Sequence, residues 1–474
     1  MGAIKTVQKE TNNITYRQTY LANNNLQIRV AELYIFLLPW NMIVQFSFLK
    51  TIFGPCANDF NFVLHMIGLF LMYMSRQGKF RIEYDKRSSL FHYFVIMIII
   101  MNLSSFVMSI ALHDKLGTIG GEDTYRAIAG QIVYYFQYIF IVLYNREVFR
   151  LVPKERIEKI FNKILMVLMI LGYFQILVIL FGGFFSKIYQ SLDVFKVLWS
   201  ASSIAENQRL SLTGSEPASA GSFICNFVIP FLMAKILYYG NSYKTTLQFI
   251  LWLPILYFTK SSTGYVLLIL CFVIFMYLYL FKGKHRIKNF KILIFITLVA
   301  IIIIPNYKTV MNSDFVQNIQ YLTIDKTTNR ENQATMSRKV PLIVNYKTFL
   351  EYPILGVGNG NQGFFYLKHF PSWAYSSYDV DHLIISAKET PANGSLFVPS
   401  ILSGYGLLGV ILVVIYIVKC KRLISINRED LGMFYFMSII SSIVIFFIGF
   451  SSEFVGNYEV WFLLSLPYLS TKVN

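Results

Sequence analysis

The sequence predicts an all-α integral membrane protein of about twelve transmembrane helices. Of its 474 residues, 55% are hydrophobic and only 14% are charged, against roughly 25% charged in a soluble domain. The apolar residues form continuous runs of membrane-spanning length rather than alternating, which argues against a β-barrel. The Lys and Arg cluster in short segments between those runs, the positive-inside pattern of helical membrane proteins.

The first run, Glu32–Phe53, follows a polar stretch with no signal-peptide core or cleavage site, so it is expected to be its own insertion signal. Phe60–Ser75 returns after Gly54–Asp59, which carries no Lys or Arg. Leu90–Leu112 follows the basic group Arg76, Lys79, Arg81, Lys86 and Arg87. Ala127–Asn145 and Phe161–Phe181 flank Arg146, Arg150, Lys154, Arg156 and Lys159. Ser219–Tyr239 is entered through the polar region Gly182–Ala218. Thr246–Thr259 and Gly264–Phe281 meet at the turn Lys260-Ser-Ser-Thr-Gly264. Phe290–Ile304 follows Lys282, Lys284, Arg286 and Lys288. Ser395–Val418 and Leu431–Phe450 are separated by Lys419, Lys421, Arg422 and Arg428, and Val460–Leu469 closes the series. The seventh, ninth and twelfth runs are the short ones.

With the basic connectors inside, both termini are expected in the cytoplasm. A large loop over residues 306–393, between the ninth and tenth spans, is then expected outside. The whole chain, 1–474, reads as one polytopic domain. The net charge of +17 is concentrated in the connectors, so its expected partner is anionic lipid of the bilayer rather than nucleic acid, for which there is no motif. Cys56, Cys225, Cys271 and Cys420 are scattered, giving neither a zinc spacing nor a disulfide framework.

Four segments carry residues suited to chemistry. Arg209-Leu-Ser-Leu-Thr-Gly-Ser-Glu-Pro-Ala-Ser-Ala-Gly221 combines Arg209 and Glu216 at the mouth of a span, where ionisable groups favour function. The plainer account is a helix capped by Ser215 with Pro217 in its first turn. Lys260 with its Ser-Ser-Thr turn is either a snorkelling lysine or a further cation at the same mouth. Arg338 precedes a stretch of helical apolar spacing that ends at Tyr352-Pro353. The turn Gly356-Val-Gly358-Asn359-Gly follows; glycines there permit positive φ, and successive N–H groups can cradle an anion. An ordinary glycine turn after a helix is the alternative. Finally, the aromatic run Gly363–Tyr378 is either a sugar-stacking surface or an interface belt; Asp379, Asp381 and His382 follow it as an acid–base group or as solvated charge.

Taken in order, these segments resemble the O-antigen polymerase (Wzy-type) and O-antigen ligase superfamily of bacterial polysaccharide-assembly enzymes. Arg209…Gly214-Ser-Glu216-Pro-Ala-Ser-Ala220 resembles its Arg…Gly…Glu-Pro/Ser…Ala segment. Tyr257-Phe-Thr-Lys-Ser-Ser-Thr-Gly264 resembles its Thr-x-Ser-Arg-Gly turn, with Lys260 where the family often has Ser-Arg. Arg338…Tyr352-Pro-Ile-Leu-Gly-Val-Gly-Asn-Gly360 is similar to its Arg…Pro-Leu-x-Gly-x-Gly segment, and Ser395…Gly404-Tyr-Gly-Leu-Leu-Gly409 resembles the span after the loop. Many ligases place His-Asn just before that span; Pro391-Ala-Asn-Gly-Ser395 has no His, which favours a polymerase.

The resemblance implies a GT-C-like fold in the bacterial cytoplasmic membrane, with the active site facing outward. It implies undecaprenyl-pyrophosphate-linked repeat units as substrates, with a flippase and a chain-length regulator as partners. No cofactor or metal is implied. Arg209, Arg338 and Lys260 are expected to hold the diphosphate leaving group, and Glu216 or His382 to accept the hydroxyl proton. Ser215, Tyr352, Gly356, Gly358 and Asn359 are expected at the substrate. A ligase and a lipid-linked-sugar transporter are the alternatives; the transporter reading calls for broken, polar spans at the bilayer midplane.

Overall fold

The computed structural model describes residues 25–40, 60–75, 86–192, 204, 208–214, 216–281, 333–374, 396–450 and 457–469, with backbone alone for 86–88, 333–338 and 373. The described residues are mostly helical, with an isolated bridge between Ile119 and Glu122 and no β-strand among them. In chain order the helices are α1 (25–37), α2 (Phe60–Ser75), α3 (Lys86–Leu116), α4 (Thr124–Leu151), α5 (Lys154–Phe181) and α6 (Gly183–Leu192). They continue as α7 (Pro217–Tyr239), α8 (Tyr243–Thr259), α9 (Ser262–Phe281), α10 (Gln333–Glu351), α11 (Phe397–Ile426), α12 (Met433–Ile448) and α13 (Tyr458–Leu464).

Six of these, α3, α4, α5, α7, α9 and α11, are long and apolar enough to cross a membrane, and α2 and α12 are shorter apolar helices. The chain is therefore an α-helical membrane protein. They coincide with eight of the expected spans, and α8 with a ninth. Of the expected first span, Glu32–Phe53, residues 32–37 belong to α1 and residues 41–53 lie outside the described residues, as do the ninth, Phe290–Ile304, and loop residues 306–332 and 375–393. The twelfth is different. Val460–Leu469 is not a crossing helix: α13 has seven residues, about 10 Å of rise, and gives way to a 3-10 turn at Leu466–Tyr468. Pro467 has no N–H to continue the ladder, and every residue of the segment except half-buried Leu464 is buried against the bundle.

α7 is the central helix. Of its most apolar window 83% is buried, against 28–44% in the other five, because α8, α9 and α12 all pack on it. Its own backbone is broken in the middle. Residues Ile224–Val228 form a π-turn in which the Ile229 N–H reaches back to Ile224 O, and Pro230 has no N–H to offer Asn226 O. The carbonyls of Cys225 and Asn226 are thereby orphaned in the core. Neighbouring helices supply the missing donors: Cys271 Sγ reaches Cys225 O at 3.3 Å, and Ser441 Oγ reaches Asn226 O at 2.8 Å. α9 also approaches α7 closely. A Cβ on Gly221 would lie 2.8 Å from Ser261 Cβ and 3.4 Å from Gly264 Cα, so these small residues allow near backbone-to-backbone packing.

α11 is broken as well. Gly406 has φ 60° and ψ −151°, far from helical values, within an otherwise continuous helix. The loop that follows α10 fills this break.

Candidate functional site

The four motif segments assemble as two pairs. In the first pair, residues 208–214 descend as coil onto the C-terminal end of α8, just before α7 begins. Leu210 N–H donates to Phe258 O at 3.0 Å; Arg209 donates from Nε to Thr259 O (3.0 Å) and from an Nη to Lys260 O (3.3 Å). A guanidinium fits here because the last turn of a helix ends in carbonyls without intrahelical donors and at the negative end of its dipole. Lys260 terminates α8 in the left-handed conformation (φ 46°, ψ 38°), its N–H bonded to Tyr257 O. The residue is half-buried, on the same turn that Arg209 caps.

Three non-glycine residues among those described have positive φ: Gln208, Leu212 and Lys260. All belong to this pair of segments. A bulky residue such as Leu212 at φ 50° is a costly conformation that persists only where its surroundings over-determine it. The surroundings do so. The amide of Gln175 on α5 accepts from Leu212 N–H at 3.0 Å and donates to Leu212 O at 3.0 Å. Thr213 Oγ1 donates to Pro39 O, and Gly214 N–H closes a turn onto Ser211 O. Leu210, Ser211, Leu212 and Thr213 are all buried, and Ser211 Oγ has no hydrogen-bond partner.

Glu216 is exposed at the N-cap position of α7, where its side chain makes no capping bond, and Pro217 is the first helical residue. The helix start is as expected from Pro217, but the capping position belongs to Glu216; Ser215 lies outside the described residues.

The second pair joins the glycine turn to α11. Val357 and Gly358 N–H donate to Ser403 and Gly404 O (2.8 and 3.0 Å), while Leu407 and Leu408 N–H donate to Pro353 and Ile354 O (2.8 and 3.1 Å). The loop thus replaces the helical bonds lost around Gly406. Gly356, at φ 67°, is required by contact as well as by conformation, since a Cβ there would sit 2.4 Å from Gly404 C. The other N–H groups of the turn are equally engaged: Gly356 with Tyr352 O, Asn359 with Ser105 Oγ, Gly360 with Gln362 Oε1, Asn361 with Gly358 O. The anion cradle expected of Gly356, Gly358 and Asn359 is therefore not formed by this backbone, whose donors are consumed in docking. Asn359 instead bridges Gln131 of α4 (3.0 Å) and Gln362 (2.8 Å), and Tyr352 stands edge-on to Phe365 at 5.4 Å. Asn361 reaches Ser109 at 2.8 Å, completing a neutral polar seam between the turn, α3 and α4.

Arg338 lies in the first part of α10, where the structure describes its backbone, and His382 lies outside the described residues. Another imidazole is present. His369 Nε2 is 3.3 Å from Glu351 Oε1, unaligned for a hydrogen bond, and Lys368 Nζ is 2.7 Å from Glu351 Oε2. Burial lowers the His369 pKa below its ordinary value, with the Glu351 carboxylate opposing. Glu351 is thirteen residues beyond Arg338 on one helix, about 20 Å along its axis. The two ends of α10 therefore serve different places.

Compared with protein-family models and with curated proteins, the chain matches none. Sequence reasoning passed over Gln175, although one amide inside the apolar run Leu171–Phe181 was a visible signal. It also passed over Ser105, Gln131 and Gln362, whose partners are more than two hundred residues away or become neighbours only when the turn docks. Among the described residues no three His, Cys, Asp or Glu side chains converge as metal ligands would.

Proposed function

We propose that the chain is a membrane glycosyltransferase of the O-antigen polymerase type, with a GT-C-like helical bundle. It moves a growing glycan from undecaprenyl pyrophosphate onto the non-reducing end of another lipid-linked repeat unit. The observation that carries this reading is the joining of Arg209 to the Lys260 turn, fifty residues on, through backbone held at three positive-φ positions, of which Leu212 is buried. Such strain is usual at sites that hold a fixed geometry for a ligand.

In the reaction, a sugar hydroxyl attacks the anomeric carbon. The new C–O bond forms as the bond to the diphosphate breaks, and its electron pair leaves on a phosphate oxygen. Inversion follows from this single displacement. Arg209, Lys260 and Arg338 stabilise the departing charge, Arg being suited to two-point contact with phosphate. Arg209 is partly occupied by two carbonyls, which fixes its plane and limits what it can offer a ligand. Glu216, exposed at the start of α7, or His382 takes the hydroxyl proton in this reading. The site faces outward from the bacterial cytoplasmic membrane, the N-terminus is cytoplasmic, and a flippase and a chain-length regulator act beside it. Tyr352 and the residues after the glycine turn line the acceptor side.

Purified protein in lipid, given lipid-linked repeat units, should build a glycan ladder without added partners. Absence of any product longer than one unit, with the folded protein in hand, would refute the reading. A second reading has one observation in its favour. The breaks in α7 and α11 are the discontinuous helices expected of a lipid-linked-sugar transporter, and flux of intact substrate across vesicles without ladder formation would establish it.

A further inference from the structure

We infer that Gln175 is a positioning residue for the Arg209 segment, acting through the backbone of Leu212 and anchored by Tyr189. Gln175 is completely buried in α5. Its Oε1 takes the Leu212 N–H, and its Nε2 is shared between Leu212 O at 3.0 Å and Tyr189 Oη at 2.8 Å. One primary amide thus meets both backbone groups of the residue at φ 50°, in the manner of a neighbouring strand. Tyr189 is itself fully buried, in the short helix α6, where it packs with Val178 and Ile204. The line from α6 through Gln175 to Leu212 ends three residues from Arg209.

The chemistry selects glutamine. The paired contact needs one acceptor and one donor on adjacent atoms, directed at one peptide residue. Methionine or leucine would fill the space and leave Leu212 N–H and C=O unpaired in a buried site, which is costly. A carboxylate would satisfy the N–H and repel the carbonyl. A protonated carboxyl has one donor and one acceptor and would substitute in part. Without the amide, Leu212 has no reason to hold a left-handed conformation, and relaxation to negative φ would redirect the chain that carries Arg209. Ser211, buried beside Leu212 with an unpartnered hydroxyl, reports on that relaxation.

The test uses the full chain in lipid vesicles with a Ser211→Cys reporter and a maleimide probe, the chain with native cysteines alone serving as blank. The reporter thiol should label slowly in the parent and at least about tenfold faster in Gln175→Met, since an unpaired buried backbone group loses about that much in equilibrium. Relative to the parent reporter at the same pH, Gln175→Glu should label at the parental rate at low pH and faster as the carboxyl ionises, and Tyr189→Phe should fall between. The kinetic arm alone rests on the transferase reading: kcat should drop in Gln175→Met with KM for the lipid-linked donor little changed, and Gln175→Glu should recover turnover on acidification. Parental labelling in Gln175→Met, or in Gln175→Glu and Tyr189→Phe at high pH should Gln175→Met fail to fold, would overturn the proposal. A parent protein without transferase activity would sink the enzyme reading and leave the labelling arm to decide the role of Gln175.

Discussion

The two motif pairs solve opposite problems with the same raw material, a stretch of irregular backbone beside a helix. Around Arg209 the irregular chain is held by side chains. Gln175 pairs with Leu212, Thr213 with Pro39, and Arg209 with the end of α8. Around Gly356 it is held chiefly by backbone, with four N–H groups and carbonyls traded between the turn and α11 and only Ser105 and Gln362 adding side-chain acceptors. Glycine makes the second arrangement inexpensive, because positive φ carries no Cβ penalty there. The first has non-glycine residues in the same region of φ and stays strained. The contrast separates a candidate site from a structural joint: strain kept in place by dedicated partners marks the former, and relaxed glycine docking marks the latter.

Four substitutions or titrations test that division. The largest effect is expected from Arg209→Ala. It should lower turnover about a hundredfold or more, the usual consequence of removing a group that stabilises leaving charge, while membrane insertion persists. Near-parental glycan ladders would place Arg209 on the structural side of the division. Next comes Gly356→Ala, where a Cβ at positive φ meets Gly404 backbone. It should cost about 2 kcal/mol or more of stability, read as a fall in Tm in detergent, with turnover per folded molecule retained. Lost turnover at unchanged Tm would make the turn a site after all.

Asn359→Ala should be smaller, about 1 kcal/mol, because half-buried Gln131 can rehydrate and buried Gln362 keeps Gly360 N–H and Ser400 O as partners, again in Tm rather than in turnover. The smallest expected effect is electrostatic. Burial depresses the folded-state pKa of His369 below its ordinary 6.5. The unfolded chain then binds the proton more readily, so the contribution of His369 is complete above pH 6.5 and is lost as pH falls through the folded-state value. Tm measured from about pH 7 to about pH 5 should show this acid-side decline, and His369→Gln should flatten part of it. An unaltered slope would remove His369 from the loop's electrostatics.

Helical membrane architecture was legible in the sequence because it depends on local composition. A run such as Leu90–Leu112 meets the length and polarity requirements for crossing a bilayer regardless of its neighbours. The entry to α7 at Pro217 was legible for the same reason, since proline favours a first helical turn. Val460–Leu469 misled because apolarity alone does not distinguish a lipid-facing helix from a buried one, and Pro467 decided between them. The glycine turn misled because a free N–H and a docked one have the same sequence; only the break at Gly406 shows where the donors go.

What the chain by itself determined was which stretches prefer apolar surroundings and which tolerate a turn, properties of one or a few consecutive residues. What the tertiary structure decided was pairing. Gln175 with Leu212, Ser441 with Asn226 and Ser105 with Asn359 are separated by 37 to 254 residues. A buried polar backbone group must find a partner somewhere, but sequence spacing does not say from which helix it will come.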